Sequence, residues 1–294
     1  MDLPHSDVAA VNGPVCVRQP AWQRVPVVFA SAHSGRDYPQ AFIDSARLDP
    51  LRLRRSEDSF VDELFACAPD EGIPLVAATF PRAYCDANRE KWELDPAMFA
   101  DVLPPWVNTS SPRVGAGLGT IAKVVGSGET IYRGKLRFAE ACDRIGSCWE
   151  PFHAALQAQV AATREVYGAC LLIDCHSMPG AGAGVGGPGR GTVDVVLGDV
   201  HGASCDPHIA SAVEQIIVDA GFSVRRNDPY AGGYITRHYG RPREGVHALQ
   251  IELNRALYMD EARIERSPEF GAVKIRLEGM VASLAEQAPA LVLR

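Results

Sequence analysis

The sequence predicts an α/β fold built on a mainly parallel sheet with helices on both faces. Short apolar, β-compatible runs alternate along the chain with helical stretches, the order that a parallel sheet requires. Two of those runs end alike. Val27-Val28-Phe29-Ala30-Ser31-Ala32-His33-Ser34-Gly35 and Leu171-Leu172-Ile173-Asp174-Cys175-His176-Ser177-Met178-Pro179-Gly180 each close on a histidine, a serine and a chain-breaking residue. In open α/β sheets ligands bind at the carboxyl edge of the strands. A lone histidine there is ordinarily a hydrogen-bonded one, but His33 and His176 in matching contexts point to one shared site and to metal ligation.

Taken in order, residues 1–24 are polar and aperiodic and read as an arm; residues 25–294 read as one domain. The first strand is expected over 25–32. A helix is expected over 56–68, where Phe60, Leu64 and Phe65 recur at helical spacing. Residues 74–80 form a second strand, running into a polar tract at 81–90. The stretch 91–130, rich in Pro, Gly and Ser, is a long excursion of the kind that often serves as a functional loop or lid. A helix over 135–167 contains Pro151 and should kink or divide there. The strand around 171–176 leads into a glycine-rich loop at 180–191. A strand over 192–197, a helix over 209–220, a short strand over 221–225, a Gly/Tyr-rich tract at 229–240, a strand over 246–253 and a helical region over 261–288 complete the chain.

The totals exclude several function classes. The chain has 294 residues and a formal net charge of −7, with no basic stripe for nucleic acid. Three arginines within 51–55 read as a solvated helix face. No apolar run approaches the roughly 20 residues needed to span a bilayer, and the start lacks the pattern of a signal peptide. The eight cysteines form no CxxC pair, so a thiolate zinc site is not expected and a reducing cytoplasm fits. A monomer or small homo-oligomer is expected.

A catalytic zinc takes three protein ligands of imidazole and carboxylate type and keeps one position open. His33 and His176 supply two. The third should be an acid at the start of the helix after the first strand: Asp58 is preferred, with Glu57 its close competitor. A divalent ion so held acidifies water, and a general base must still move a proton. Glu252 is the candidate base. It shares a strand face with Gln250, and an acid among apolar residues needs a function or a partner, which Arg255 or Arg243 would otherwise provide. Asp174 could orient a ring nitrogen of His176. Arg82, Arg89, Arg133 and Arg237 lie in loops, and bidentate guanidinium recognition suits a small acidic substrate. The glycine-rich loop lacks the GxxxxGK[ST] order, so nucleotide binding is not expected.

The segments Ser31-Ala32-His33-Ser34-Gly35, Tyr84-Cys85-Asp86-Ala87-Asn88-Arg89, Ile173-Asp174-Cys175-His176-Ser177, Gly232-Gly233-Tyr234-Ile235-Thr236-Arg237-His238-Tyr239-Gly240 and Glu252-Leu253-Asn254-Arg255-Ala256-Leu257-Tyr258-Met259 resemble the N-formylglutamate amidohydrolase family, in the expected order from about residue 25 to 285. The resemblance implies a three-layer α/β/α, zinc-carboxypeptidase-like hydrolase fold with a mixed sheet. It implies hydrolysis of an N-formyl or short N-acyl amide on glutamate, closing a histidine-degradation route. Carried over by position, His33, Asp58 and His176 fall on the metal ligands and Glu252 on the general base. Asn88, Arg89, Thr236 and His238, with Arg133, fall around the substrate carboxylates. Three rival readings remain: a deacylase of another N-acyl amino acid, a binding protein on the same scaffold, and a hydrolase using Cys175 or Ser177 as nucleophile.

Overall fold

The computed structural model describes residues 9–10, 13–180 and 192–293. The glycine-rich loop, beyond Gly180, lies outside the described residues. Among the described residues the main sheet comprises β1 (Ala9–Ala10), β2 (Val15–Arg18), β3 (Val27–Ser31), β4 (Leu75–Ala78), β5 (Cys170–Met178), β6 (Val195–Gly198), β7 (Val224–Arg226) and β8 (Val246–Asn254), in the order β1-β2-β4-β3-β5-β8-β6-β7. The central strands β4, β3, β5 and β8 run parallel, while β6 and β2 pair antiparallel to their central neighbours. The helices are α1 (Gln40–Ser45), α2 (Pro50–Arg54), α3 (Val61–Leu64), α4 (Pro112–Gly115), α5 (Phe138–Arg144), α6 (Glu150–Tyr167), α7 (Pro207–Asp219), α8 (Tyr234–Tyr239) and α9 (Phe270–Val292). None is long and apolar enough to cross a membrane among the described residues.

Alternation along β5 and β8 explains both the layers and the site. Leu171, Ile173 and Cys175, with Leu249, Ile251 and Leu253, face α7 and α9 in one core. Leu172 and Ala248 face Phe152 and Leu156 of α6 and Ile235 of α8 in the other. Successive side chains point to opposite faces, so the next positions on this second face are Asp174 and His176 on β5, and Gln250 and Glu252 on β8. The parallel register sets His176 directly beside Glu252 and Asp174 beside Gln250. The second face thus turns from apolar to ionisable at the carboxyl end of the sheet.

Several elements differ from expectation. The N-terminal stretch is not a free arm, because Val15–Arg18 extends the sheet against β4. The helix expected over 56–68 shrinks to Val61–Leu64, since Phe60 adopts a left-handed conformation (φ 68°) that cannot continue a helix backwards. The helix expected through Pro151 is interrupted just before that residue, between α5 and α6. It passes through a π turn at Ile145–Trp149, where the amide of Glu150 bonds the carbonyl of Ile145, just before the proline that lacks an amide hydrogen. The closing helix starts at Phe270, after Met259–Asp260 and Glu265–Arg266 pair as a hairpin.

Candidate active site

Strand ends and the loops beside them deliver the site at the carboxyl edge. His33 lies just past β3, and its carbonyl accepts from the amide of Asp58 at 3.0 Å, so the connection after α2 is anchored to the strand end. Asp58 then projects Oδ2 to within 2.8 Å of His176 Nδ1 and 3.4 Å of His33 Nδ1. The three ligand atoms lie within 4.8 Å of one another and all three residues are buried. Glu57 is turned elsewhere: it takes both Arg54 Nε and Nη2, and the Ser59 hydroxyl. The two open candidates therefore separate by geometry, with Asp58 among the histidines.

The far nitrogen of each ring meets an acid. His33 Nε2 is 2.7 Å from Asp86 Oδ1, and His176 Nε2 is 2.9 Å from Asp174 Oδ1. A carboxylate beside Nε2 favours the tautomer whose Nδ1 lone pair is free for a cation. Asn88 helps set this shell. Its Nδ2 donates to Asp174 Oδ2 at 3.3 Å and lies 3.0 Å from His176 Nε2, while its Oδ1 accepts from the amide of Ile235 at 2.8 Å. Gly233 leaves room for this amide, since a Cβ there would sit 2.3 Å from Asn88 Nδ2. His33 Nδ1 is buried and makes no hydrogen bond. An orphaned imidazole nitrogen, a second Nδ1 and a carboxylate oxygen converging on one point are the donor set of a divalent cation site, so the residues fit such an ion.

Charge is dense around this point. Burial favours the neutral form of Asp58, yet the adjoining His176 and His33 hold its carboxyl well below the usual range. Asp58 Oδ1 also accepts from Arg255 Nη2 at 2.8 Å, and Arg82 Nη1 stands 3.9 Å away. Asp86 is likewise held low against its burial, by Arg89, His33 and Arg82. Burial opposes charge on His176, but the flanking Asp174 and Asp58 outweigh it and raise its pKa well above the ordinary value. Glu252 behaves oppositely. Burial pushes its carboxyl up to about 7, offset in part by His176, Arg82 and Arg255. Its Oε1 accepts from Gln250 Nε2 at 2.9 Å, and Gln250 Oε1 accepts from the amide of Gly233 at 2.8 Å. Arg255, named from the sequence as a partner for Glu252, instead bonds Asp58 and Ser177.

These groups line a cleft of about 680 Å³ together with residues of the 91–130 excursion. Asn88 and Arg89 line it; Arg133, Thr236 and His238 do not. Arg133 is exposed in the turn after Tyr132. The tract expected as a loop around Thr236 and His238 is helix α8, which turns Thr236 fully inward and His238 outward, where it stacks on Tyr234 with ring centroids 4.9 Å apart. Arg237, between them, reaches the cleft. Cys175 points into the opposite core, where burial pushes its thiol well up, and the Ser177 hydroxyl is taken by Arg255 Nε at 3.1 Å. Neither is placed as a nucleophile. Asp86, Arg255 and Arg113 were given no site role from sequence. For Asp86 a signal was present: it lies in the Tyr84–Arg89 segment that carries the family resemblance, within the polar tract after β4.

Residues 25–259 match the family model of N-formylglutamate amidohydrolase. The chain is 30% identical over 245 residues to an N-formylglutamate deformylase of Pseudomonas putida, covering 81% of this chain and 83% of that one. An N-formylglutamate deformylase of Pseudomonas aeruginosa is 31% identical over 241 residues, covering 81% and 84%. The crystal structure of an N-formylglutamate amidohydrolase from Ralstonia eutropha JMP134 superposes with a TM-score of 0.88 at 36% identity, over 94% of this chain and 99% of that one.

Proposed function

Because this chain belongs to the N-formylglutamate amidohydrolase family and is a hydrolase of an amide bond, we propose that its substrate is N-formyl-L-glutamate, cleaved with one water to formate and glutamate. The observation that carries the reading is the meeting of His33 and Asp58, from separate turns between β3 and β4, with His176 of β5, beside Glu252. His33 Nδ1, Asp58 Oδ2 and His176 Nδ1 would hold a divalent cation, zinc being the best match to two imidazoles and one carboxylate. Such an ion supplies Lewis acidity, lowering the pKa of water and polarising the amide carbonyl.

The chain's own groups do the rest. Glu252, poised at about 7, accepts a proton from the attacking water and returns it to the departing amide nitrogen, and a carboxyl near neutrality suits both transfers. Gln250 steers that carboxyl by bonding one oxygen. Asp86 and Asp174 orient the two imidazoles, and Arg255 fixes Asp58 by a charge-assisted bond. Arg82, beside Asp58, and Arg89, beside Asp86, place positive charge where an acidic substrate would lie.

The test is formate release from N-formylglutamate with elemental analysis of the purified enzyme, before and after chelation. Activity that persists in metal-free enzyme sinks the metal-dependent reading, and hydrolysis of another N-acyl amino acid with none of N-formylglutamate sinks the substrate. We place the reaction last in a histidine-degradation route in the cytoplasm. The cysteines, all free, suit a reducing compartment. Host cells lacking the enzyme should accumulate N-formylglutamate when fed histidine.

A further inference from the structure

Most cations of the cleft are already engaged. Arg54 holds Glu57, Arg82 holds Asp86, Arg255 holds Asp58, and Arg89 bonds the carbonyls of Leu118 and Asn88. Among the described residues, Arg113 and Arg237 are the cleft-lining arginines whose guanidinium groups make no hydrogen bond or ion pair. Arg113 comes from α4, inside the 91–130 excursion, where Ser111 Oγ caps the helix by accepting from the amide of Val114 at 3.2 Å. The carbonyl of Arg113 accepts from the amide of Leu118 at 2.8 Å, and the carbonyl of Leu118 accepts from Arg89 Nε at 2.8 Å. The turn that presents Arg113 is therefore bolted to the Arg89 side chain, and both arginines face the same cleft.

Two like charges so placed repel. Burial chiefly, with Arg82 and Arg113 adding to it against Asp86, lowers the Arg89 pKa to about 10. An incoming carboxylate relieves that repulsion and pairs with donors the fold leaves open. Position assigns the carboxylate. Arg82 stands 3.9 Å from Asp58, one of the candidate ligands, Arg89 stands 3.7 Å from Asp86 behind His33, and Arg113 comes from the α4 turn joined to Arg89 through Leu118. In an N-acyl glutamate the α-carboxylate is attached at the carbon bearing the scissile nitrogen, and the side-chain carboxylate lies two methylenes further out. Leu118, Ala122 and Val124 of the excursion line the same cleft and offer the methylenes an apolar surface.

We propose that Arg113, alongside Arg89, binds the side-chain carboxylate of the substrate, so that the 91–130 excursion is the element that selects an acidic amino acid. The inference rests on the amide-hydrolase reading above, and its test is separable from it. The kcat/KM of the metal-loaded enzyme is measured on N-formylglutamate and on N-formylglutamine, which differ only at the side-chain carboxylate. Arg113→Gln should lower the acid-to-amide ratio by roughly 10- to 100-fold, the worth of one charge-assisted bond, mainly through KM. Arg113→Lys, which keeps the charge without the fork, should recover part of the ratio. An unchanged ratio, or equal loss on both substrates, overturns the proposal. The Arg113 side chain makes no structural bond, so the variants keep the fold. If the wild-type enzyme prefers an acyl group other than formyl, the function reading fails, while the ratio still judges Arg113 on substrates carrying that acyl group.

Discussion

At Glu252, burial and charge are in conflict, and the conflict sets its proton affinity. The carboxyl is enclosed at the strand end, and its rise to about 7 means that it is unprotonated above that pH and protonated below. A base must be unprotonated to act, so kcat/KM should fall about tenfold per pH unit as pH drops below about 7. A profile with no acid limb between pH 5 and 7 would remove Glu252 from this role. Glu252→Gln keeps the shape and removes the basicity, and kcat should fall by about 10²- to 10⁴-fold with bound metal unchanged. Asp86 offers a different test. It sits behind His33 rather than at the reacting atoms, so Asp86→Asn should weaken metal affinity by about 10- to 100-fold in a chelator competition. Loss of activity with affinity intact would instead place Asp86 on the substrate.

The strand-to-loop connections are the elements on which the site depends, and their glycines show how tightly they are built. A Cβ at Gly35, two residues past His33, would lie 2.1 Å from the carbonyl oxygen of Phe80. That atom is backbone and cannot step aside, so Gly35→Ala should destabilise the fold by about 2–3 kcal/mol and displace the His33 loop. Gly279, inside the exposed side of α9, has open space where a Cβ would go. Gly279→Ala should therefore stabilise by about 1 kcal/mol, read as a higher Tm. The same contrast between local and distant causes decides what was legible in the sequence. The runs ending at His33 and His176 announced themselves, because strand periodicity and the closing residue sit within a few positions. Alternation along β8 likewise put Gln250 and Glu252 on one face. What stayed hidden depends on residues far apart in the chain. Nothing local shows that Asp58 rather than Glu57 will meet His176, that β2 will extend the sheet against β4, or that Leu118 will couple Arg89 to Arg113. The inward turn of Thr236 and outward turn of His238 required knowing that their tract is a helix.

Over the whole molecule, the proposed cation site is a junction of the fold as well as of the chemistry. It ties the connection after β3, the start of α3, the end of β5 and, through Arg255, the segment after β8. Without an ion, these elements meet at buried groups, and the flanking Asp174 and Asp58 raise the pKa of His176 well above its ordinary value, favouring a proton there. A cation at Nδ1 must displace that proton. Binding should thus release protons at neutral pH, and apparent affinity should rise with pH by about tenfold per unit for each proton displaced. Calorimetry in two buffers of different ionisation enthalpy measures the number directly, and zero release would contradict the site. The same linkage predicts stability. A ligand that binds only the folded chain, present at 1,000 times its Kd, adds about 4 kcal/mol. Metal-loaded enzyme should therefore melt about 5–10 °C above the chelated form, and His33→Ala should abolish the difference while leaving the chelated form folded. If that variant still gains stability from added zinc, the ion binds elsewhere, and the four connections are held together by their own side chains alone.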